Sequence, residues 1–61
     1  MRTETLPSYT SAVIRLLIMD YGIPGDVAGA QDYAEYYYLG YSVEACAFGL
    51  QDELSNPGDY Q

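Results

Sequence analysis

The sequence predicts an all-α fold, a small three-helix bundle built as one acidic helical domain over residues 1–61. Three observations predict it. Turn-forming residues (Pro7, Gly22-Ile23-Pro24-Gly25, Gly40 and Asn56-Pro57-Gly58) cut the chain into three segments, each long enough for a helix. Within each segment, apolar residues recur at helical spacing. The chain is also short: a domain of this size buries only about 60% of the surface its unfolded form exposes, which keeps stability marginal and favours a partner.

The first helix is expected over residues 7–21. Pro7 suits an opening turn, where its missing N–H is not needed, and Gly22 is a natural left-handed stop. Tyr9, Ala12, Val13, Ile14, Leu16, Leu17, Ile18, Met19 and Tyr21 spread over roughly 260° of the circumference. Ser8, Ser11 and Arg15 form the one polar strip. A buried strand over Ala12–Met19 competes, because β-branched residues are present. The helix is preferred since Arg15 falls on the polar strip and the segment is about 15 residues long. Two other short helices cannot cover so much apolar surface. Ile14, Ile18 and Tyr21 are therefore expected to face a second copy in a homodimer, or a partner groove.

The second helix is expected over residues 26–39, capped by Asp26 or Gly25 and stopped by Gly40. Val27, Ala30, Ala34, Tyr37, Tyr38 and Tyr41 fall within about 100° and form its core face. Asp32, Glu35, Tyr36 and Leu39 lie opposite, with Tyr33 and Tyr36 at least partly exposed. Gly29 weakens the helix by about 1 kcal/mol relative to alanine. The third helix is expected over residues 43–54, with Ser42 as N-cap and Glu44 favourably placed in the helix dipole. Val43, Cys46, Ala47, Leu50 and Leu54 make its core stripe. Phe48 lies off that stripe, between Glu44 and Asp52 in the helical rows. Asn56-Pro57-Gly58 ends the helix and residues 56–61 form a loose tail.

Charge excludes more than it assigns. Nine acids stand against two arginines, for a net charge of −7, with no histidine and one cysteine. Cys/His zinc sites, histidine acid–base catalysis, serine–histidine triads and an internal disulfide are all excluded. Cys46 reads as a small buried hydrophobe, and Arg15 as a structural cation that pairs with an acid of another helix or of a second subunit. The acidity argues against direct binding to nucleic acid or to an anionic membrane, both of which need Lys/Arg. No segment reaches the roughly 18 apolar residues of a membrane span. Met1-Arg2-Thr3-Glu4 lacks a basic signal-peptide start, so a cytoplasmic location is expected. Hydrophobic residues make up 49% of the chain, too many for a disordered acidic tail. Asp32 with Glu35, or Asp52 with Glu53, could in principle do acid–base work. A bundle this small leaves little room for a water-excluding pocket, and no calcium-loop motif is present. The expectation is a non-enzymatic protein without metal or cofactor.

The remaining signal is a surface. Asp32, Glu35, Glu44, Asp52 and Glu53 have no lysine or arginine three or four residues on, so they repel one another in the isolated chain. A single-sign field steers partners of opposite charge. Tyr36, Leu39 and Phe48 sit among these acids as candidate apolar anchors. The leading expectation is an inhibitor or adaptor that binds the basic surface of a nucleic-acid-binding protein. The alternative is a structural or assembly subunit, or a homodimerising module, whose acids serve solubility alone.

The stretch Tyr37-Tyr38-Leu39-Gly40-Tyr41-Ser42-Val43-Glu44, with Ala47, Leu50, Asp52, Glu53 and Leu54, resembles a pattern in ArdA-type anti-restriction proteins. It covers about a third of the chain, and this chain is shorter and less densely acidic than that family. In size and charge the chain is also similar to small phage-encoded anti-CRISPR and anti-restriction inhibitors. The resemblance implies a DNA mimic in the host-cell cytoplasm, whose carboxylates stand in for phosphates. By position those would be Asp32, Glu35, Glu44, Asp52 and Glu53.

Overall fold

The computed structural model describes residues 4–55. They form an all-α structure with no strand among them: α1 (Leu6–Tyr21), α2 (Gly25–Gly29), α3 (Ala34–Leu39) and α4 (Val43–Ser55). α1 is the central element and touches each of the other three. The expected tail at residues 56–61, with its Asn-Pro-Gly stop, lies outside the described residues.

Helix α1 starts where a side chain and a proline both favour it. Thr5 is extended (φ −82°, ψ 165°), its Oγ1 accepts from the Ser8 N–H at 3.3 Å, and Pro7 occupies the first turn. The helix ends at Gly22, whose φ of 70° is left-handed. The N–H groups of Gly22 and Ile23 both donate to the Leu17 carbonyl, which turns the chain back at the end of the helix. Tyr9, Val13 and Leu17 are fully buried along one edge of α1. Ile23 follows them inward from the turn.

Helix α4 matches its predicted stripe. Ser42 Oγ accepts from the Ala45 N–H at 3.1 Å, which caps its start. Cys46, Ala47, Leu50 and Leu54 are buried and Val43 packs against them. They meet Tyr9, Val13 and Leu17, and this α1–α4 contact is the spine of the core. Burying each leucine or valine side chain there contributes about 1.5–3 kcal/mol.

The middle of the chain departs from expectation. The single helix predicted over residues 26–39 is two helices, broken between Gly29 and Ala34. Neither Asp26 nor Gly25 caps the start: Pro24 holds that position without a side-chain bond. Ala30 closes α2 with its N–H donating to the Val27 carbonyl, three residues back, at 3.2 Å. Asp32 then forms a local turn, its Oδ1 accepting from the Ala34 N–H at 3.0 Å. The break turns Tyr33 inward, where it is 1% exposed and its hydroxyl donates to the Ala28 carbonyl at 2.6 Å. Tyr33, expected at the surface, is thus a core residue. In exchange Ala30, Tyr38 and Tyr41, expected in the core, lie outside, with Tyr38 at 74% exposure. Ala28 takes the buried position on α2. No α3 side chain is fully buried. Tyr37 lies partly buried, stacks edge-on to Tyr9 (centroids 5.2 Å apart) and donates its hydroxyl to the Glu4 carbonyl at 2.7 Å. That bond ties α3 to the segment preceding α1.

Candidate protein-docking face

The candidate face is built on the turn between α3 and α4. Gly40 adopts φ 92°, and its N–H and that of Tyr41 return to the carbonyls of Tyr37 and Tyr36. This is a Schellman turn, and its usual apolar contact is present. The rings of Tyr36 and Tyr41 meet edge to face, 5.4 Å apart at 86°. The turn therefore sets Tyr36, Tyr41 and the start of α4 in a fixed relation.

Tyr36 is half-buried against the core. Its hydroxyl pKa is raised, first by burial, then by Cys46, Glu35, Glu53 and Tyr41, of which only Glu35 and Glu53 carry charge at neutral pH. Neighbouring negative charge that disfavours a tyrosinate favours a cation. Glu35 on α3 and Glu53 on α4 thus act on one locus. The Cys46 thiol beneath is buried and its pKa is pushed up by that burial, against a smaller downward pull from the Tyr9 hydroxyl. A neutral, buried thiol is a packing group and a poor nucleophile.

The other predicted residues are distributed around the surface. Glu44, Phe48 and Asp52 follow one another at four-residue spacing along the exposed side of α4, and Phe48 is 67% exposed. Leu39, 65% exposed, closes α3 at the opposite end of the turn. Glu44 lies at one border of the α4 strip and lines a groove with Asp20 and Arg15 of α1, whereas Glu53 lies at the other border, beside Tyr36. The five acids thus do not form one continuous patch. Asp32 sits in the loop before α3, exposed, with one carboxylate oxygen bound to the backbone. Two tyrosines, Tyr38 and Tyr41, are exposed, although periodicity alone places them in the core. The signal that could have placed Tyr41 is Gly40, since a residue beyond a left-handed stop no longer follows the helical repeat.

Helix α1 carries a second exposed surface. Ile14, Ile18 and Met19 flank Ser11 and Arg15 along an open depression of about 380 Å³. Met19 is 74% exposed and Ile18 40%. Tyr21, expected with Ile14 and Ile18, does not line this depression. A second groove, of about 270 Å³, runs between α1 and the start of α4.

No three potential metal ligands converge among the described residues. No helix among them is long and apolar enough to cross a membrane. No family model, curated protein or solved structure matches the chain.

Proposed function

We propose that this protein is a non-enzymatic inhibitor or adaptor whose α3–α4 face docks on the basic surface of a nucleic-acid-binding protein. The observation that carries this reading is the pair of exposed carboxylates, Glu35 and Glu53, that stand near Tyr36 from two different helices. Tyr41 packs against Tyr36, and Leu39 and Phe48 stand exposed on α3 and α4; together they supply apolar contact of the kind that binding hot spots use. Carboxylates here pair with lysines and arginines that otherwise hold phosphates. The ArdA-like pattern of residues 37–54 supports the same direction.

The test is capture of basic nucleic-acid-binding proteins on the immobilised chain, with a titration of salt and of competing duplex DNA. Binding falls steeply with salt, because exposed charge pairs are screened within about 10 Å at 0.1 M. DNA competes for the same partner site. Glu35→Lys with Glu53→Lys abolishes capture while leaving the helical signal intact. Affinity indifferent to salt would remove the charge argument. The alternative, an assembly subunit, is favoured by one observation, the bare outer face of α1 with Met19 at its edge. Under that reading Ile14→Glu, and not the paired lysine variant, ends association.

A further inference from the structure

The groove between α1 and α4 has a charge pattern that matches itself. Its floor is apolar, formed by Ala12, Leu16 and Met19 of α1 with Val43 of α4. Arg15 stands on one side of this stripe and Asp20 on the other: at 3.6 residues per turn they are about 140° apart, with Ala12, Leu16 and Met19 between them. Glu44 adds a second acid from α4. Arg15 is the one cation among the described residues and is exposed. A cation on one edge of a short apolar stripe, with acids on the other, is complementary to a second copy laid parallel and in register.

We infer that the chain self-associates through this groove as a parallel two-fold pair of α1 helices. Ala12, Leu16 and Met19 take the positions that meet across the axis. In such a pair, an edge residue of one helix meets the opposite edge of its neighbour about one and a half turns further on. Arg15 and Asp20 have that separation. Each Arg15 thereby meets Asp20 of the other copy, with Glu44 beside it, and the symmetry makes the contact twice. An antiparallel pair brings like edges together, Arg15 against the edge that holds the other Arg15, and gains nothing from this pattern. The contact leaves the Tyr36 face open, so it stands or falls independently of the docking proposed above.

Sedimentation equilibrium of the whole chain, from micromolar to near-millimolar concentration, tests this. The mass is expected to rise from one chain to two. Arg15→Glu turns two attractions into two repulsions and weakens self-association by about tenfold or more. Adding Asp20→Arg to that variant restores it. Orientation is read separately by oxidative cross-linking of Ala12→Cys and Met19→Cys, with the wild type and its buried Cys46 as control. Both variants form disulfide-linked dimers in a parallel pair, whereas an antiparallel pair links at most one of them. A chain that stays monomeric throughout, an Arg15→Glu variant that associates unchanged, or a failure of the second charge swap to rescue would overturn the inference.

Discussion

Helix α4 and the middle segment face the same rule of helical periodicity, and only α4 obeys it. In α4 the largest apolar side chains of the stripe, Leu50 and Leu54, are also the ones that periodicity turns inward. The one bulky residue off the stripe, Phe48, stays in solvent. In the middle segment the periodic stripe holds two alanines, a valine and tyrosines, and another large side chain, Tyr33, falls outside it. Two weak points lie close by: Gly29 lowers helix propensity, and Asp32 offers the backbone a rival hydrogen bond. Breaking the helix there forfeits a few backbone bonds, each with a net value of about 1 kcal/mol. It buries Tyr33 completely and gives its hydroxyl the Ala28 carbonyl. Helical periodicity therefore decides a segment when the bulk lies on the stripe. When bulk lies off it near a breaker, the chain bends to reach the bulk.

The sharpest way to break that comparison is to remove Tyr33. Tyr33→Ala opens a cavity where the α2–α3 turn meets the core and is expected to cost about 3–5 kcal/mol. That is comparable to the whole stability of a domain of this size. Tyr33→Phe isolates the hydroxyl and costs about 1–2 kcal/mol, since the Ala28 carbonyl loses its donor. Phe48→Ser, on the bare side of α4, changes stability by less than about 0.5 kcal/mol. Urea unfolding followed by circular dichroism ranks the three. A Phe48→Ser cost equal to that of Tyr33→Ala would mean that the Phe48 ring packs into the core and that α4 has no bare side.

Alkaline pH probes the same buried tyrosine without a mutation. Burial, aided by the negative charge at Cys46, raises the Tyr33 pKa from 10.0 to about 12. Below pH 10 the folded and unfolded chains both keep this proton, and the contribution of Tyr33 to stability is whole. Between pH 10 and about 12 the unfolded chain loses the proton first, so stability falls with rising pH, and the contribution is gone once the folded-state pKa is passed. A difference of this size corresponds to about 2–3 kcal/mol. Tyr36 and Cys46 are raised as well and act in the same direction. Midpoints of urea unfolding at pH 9 and pH 11 measure the loss, and Tyr33→Phe should reduce it.

The elements legible in the sequence are those whose signals agree. For α1, Pro7 and Gly22 mark the ends, although nine apolar residues spread round the helix do not single out the buried edge of Tyr9, Val13 and Leu17. For α4, Ser42 marks the start and the Cys46–Leu54 stripe marks the buried edge. The break at residues 30–33 is not legible, because it depends on a tertiary gain at Tyr33 that no local window contains. The same holds for the candidate face. That Glu35, Glu53 and Phe48 lie outside follows from charge and periodicity alone. That Glu53 shares a locus with Glu35 and Tyr36 while Glu44 turns towards α1 depends on how the Gly40 turn sets α3 against α4. Periodicity misplaces Tyr38 and Tyr41 for a related reason. It counts the register of Tyr38 from Val27 through one continuous helix, whereas the break resets that count before α3 begins, and Tyr41 lies beyond the Gly40 stop, where no helical count applies.

Two glycines give the finest test of the contrast between a turn the fold requires and a break it merely tolerates. Gly40 holds φ 92°, and although a Cβ there would meet nothing within 4 Å, a side chain in that backbone conformation is strained. Gly40→Ala is expected to cost about 1 kcal/mol and to loosen the Tyr36–Tyr41 contact, which a change in the chemical shifts of the two rings reports. Gly29 ends α2 without a positive φ and also has open space where a Cβ would go. Gly29→Ala should leave stability unchanged or raise it by up to about 1 kcal/mol, because the unfolded chain loses freedom and the folded one accepts the methyl. The two substitutions are chemically identical and lie eleven positions apart in sequence. Opposite signs in urea midpoint would place the specification of this fold's middle in the Gly40 turn and the Tyr33 pocket. A loss at Gly29 as large as at Gly40 would instead mean that the break itself depends on that glycine.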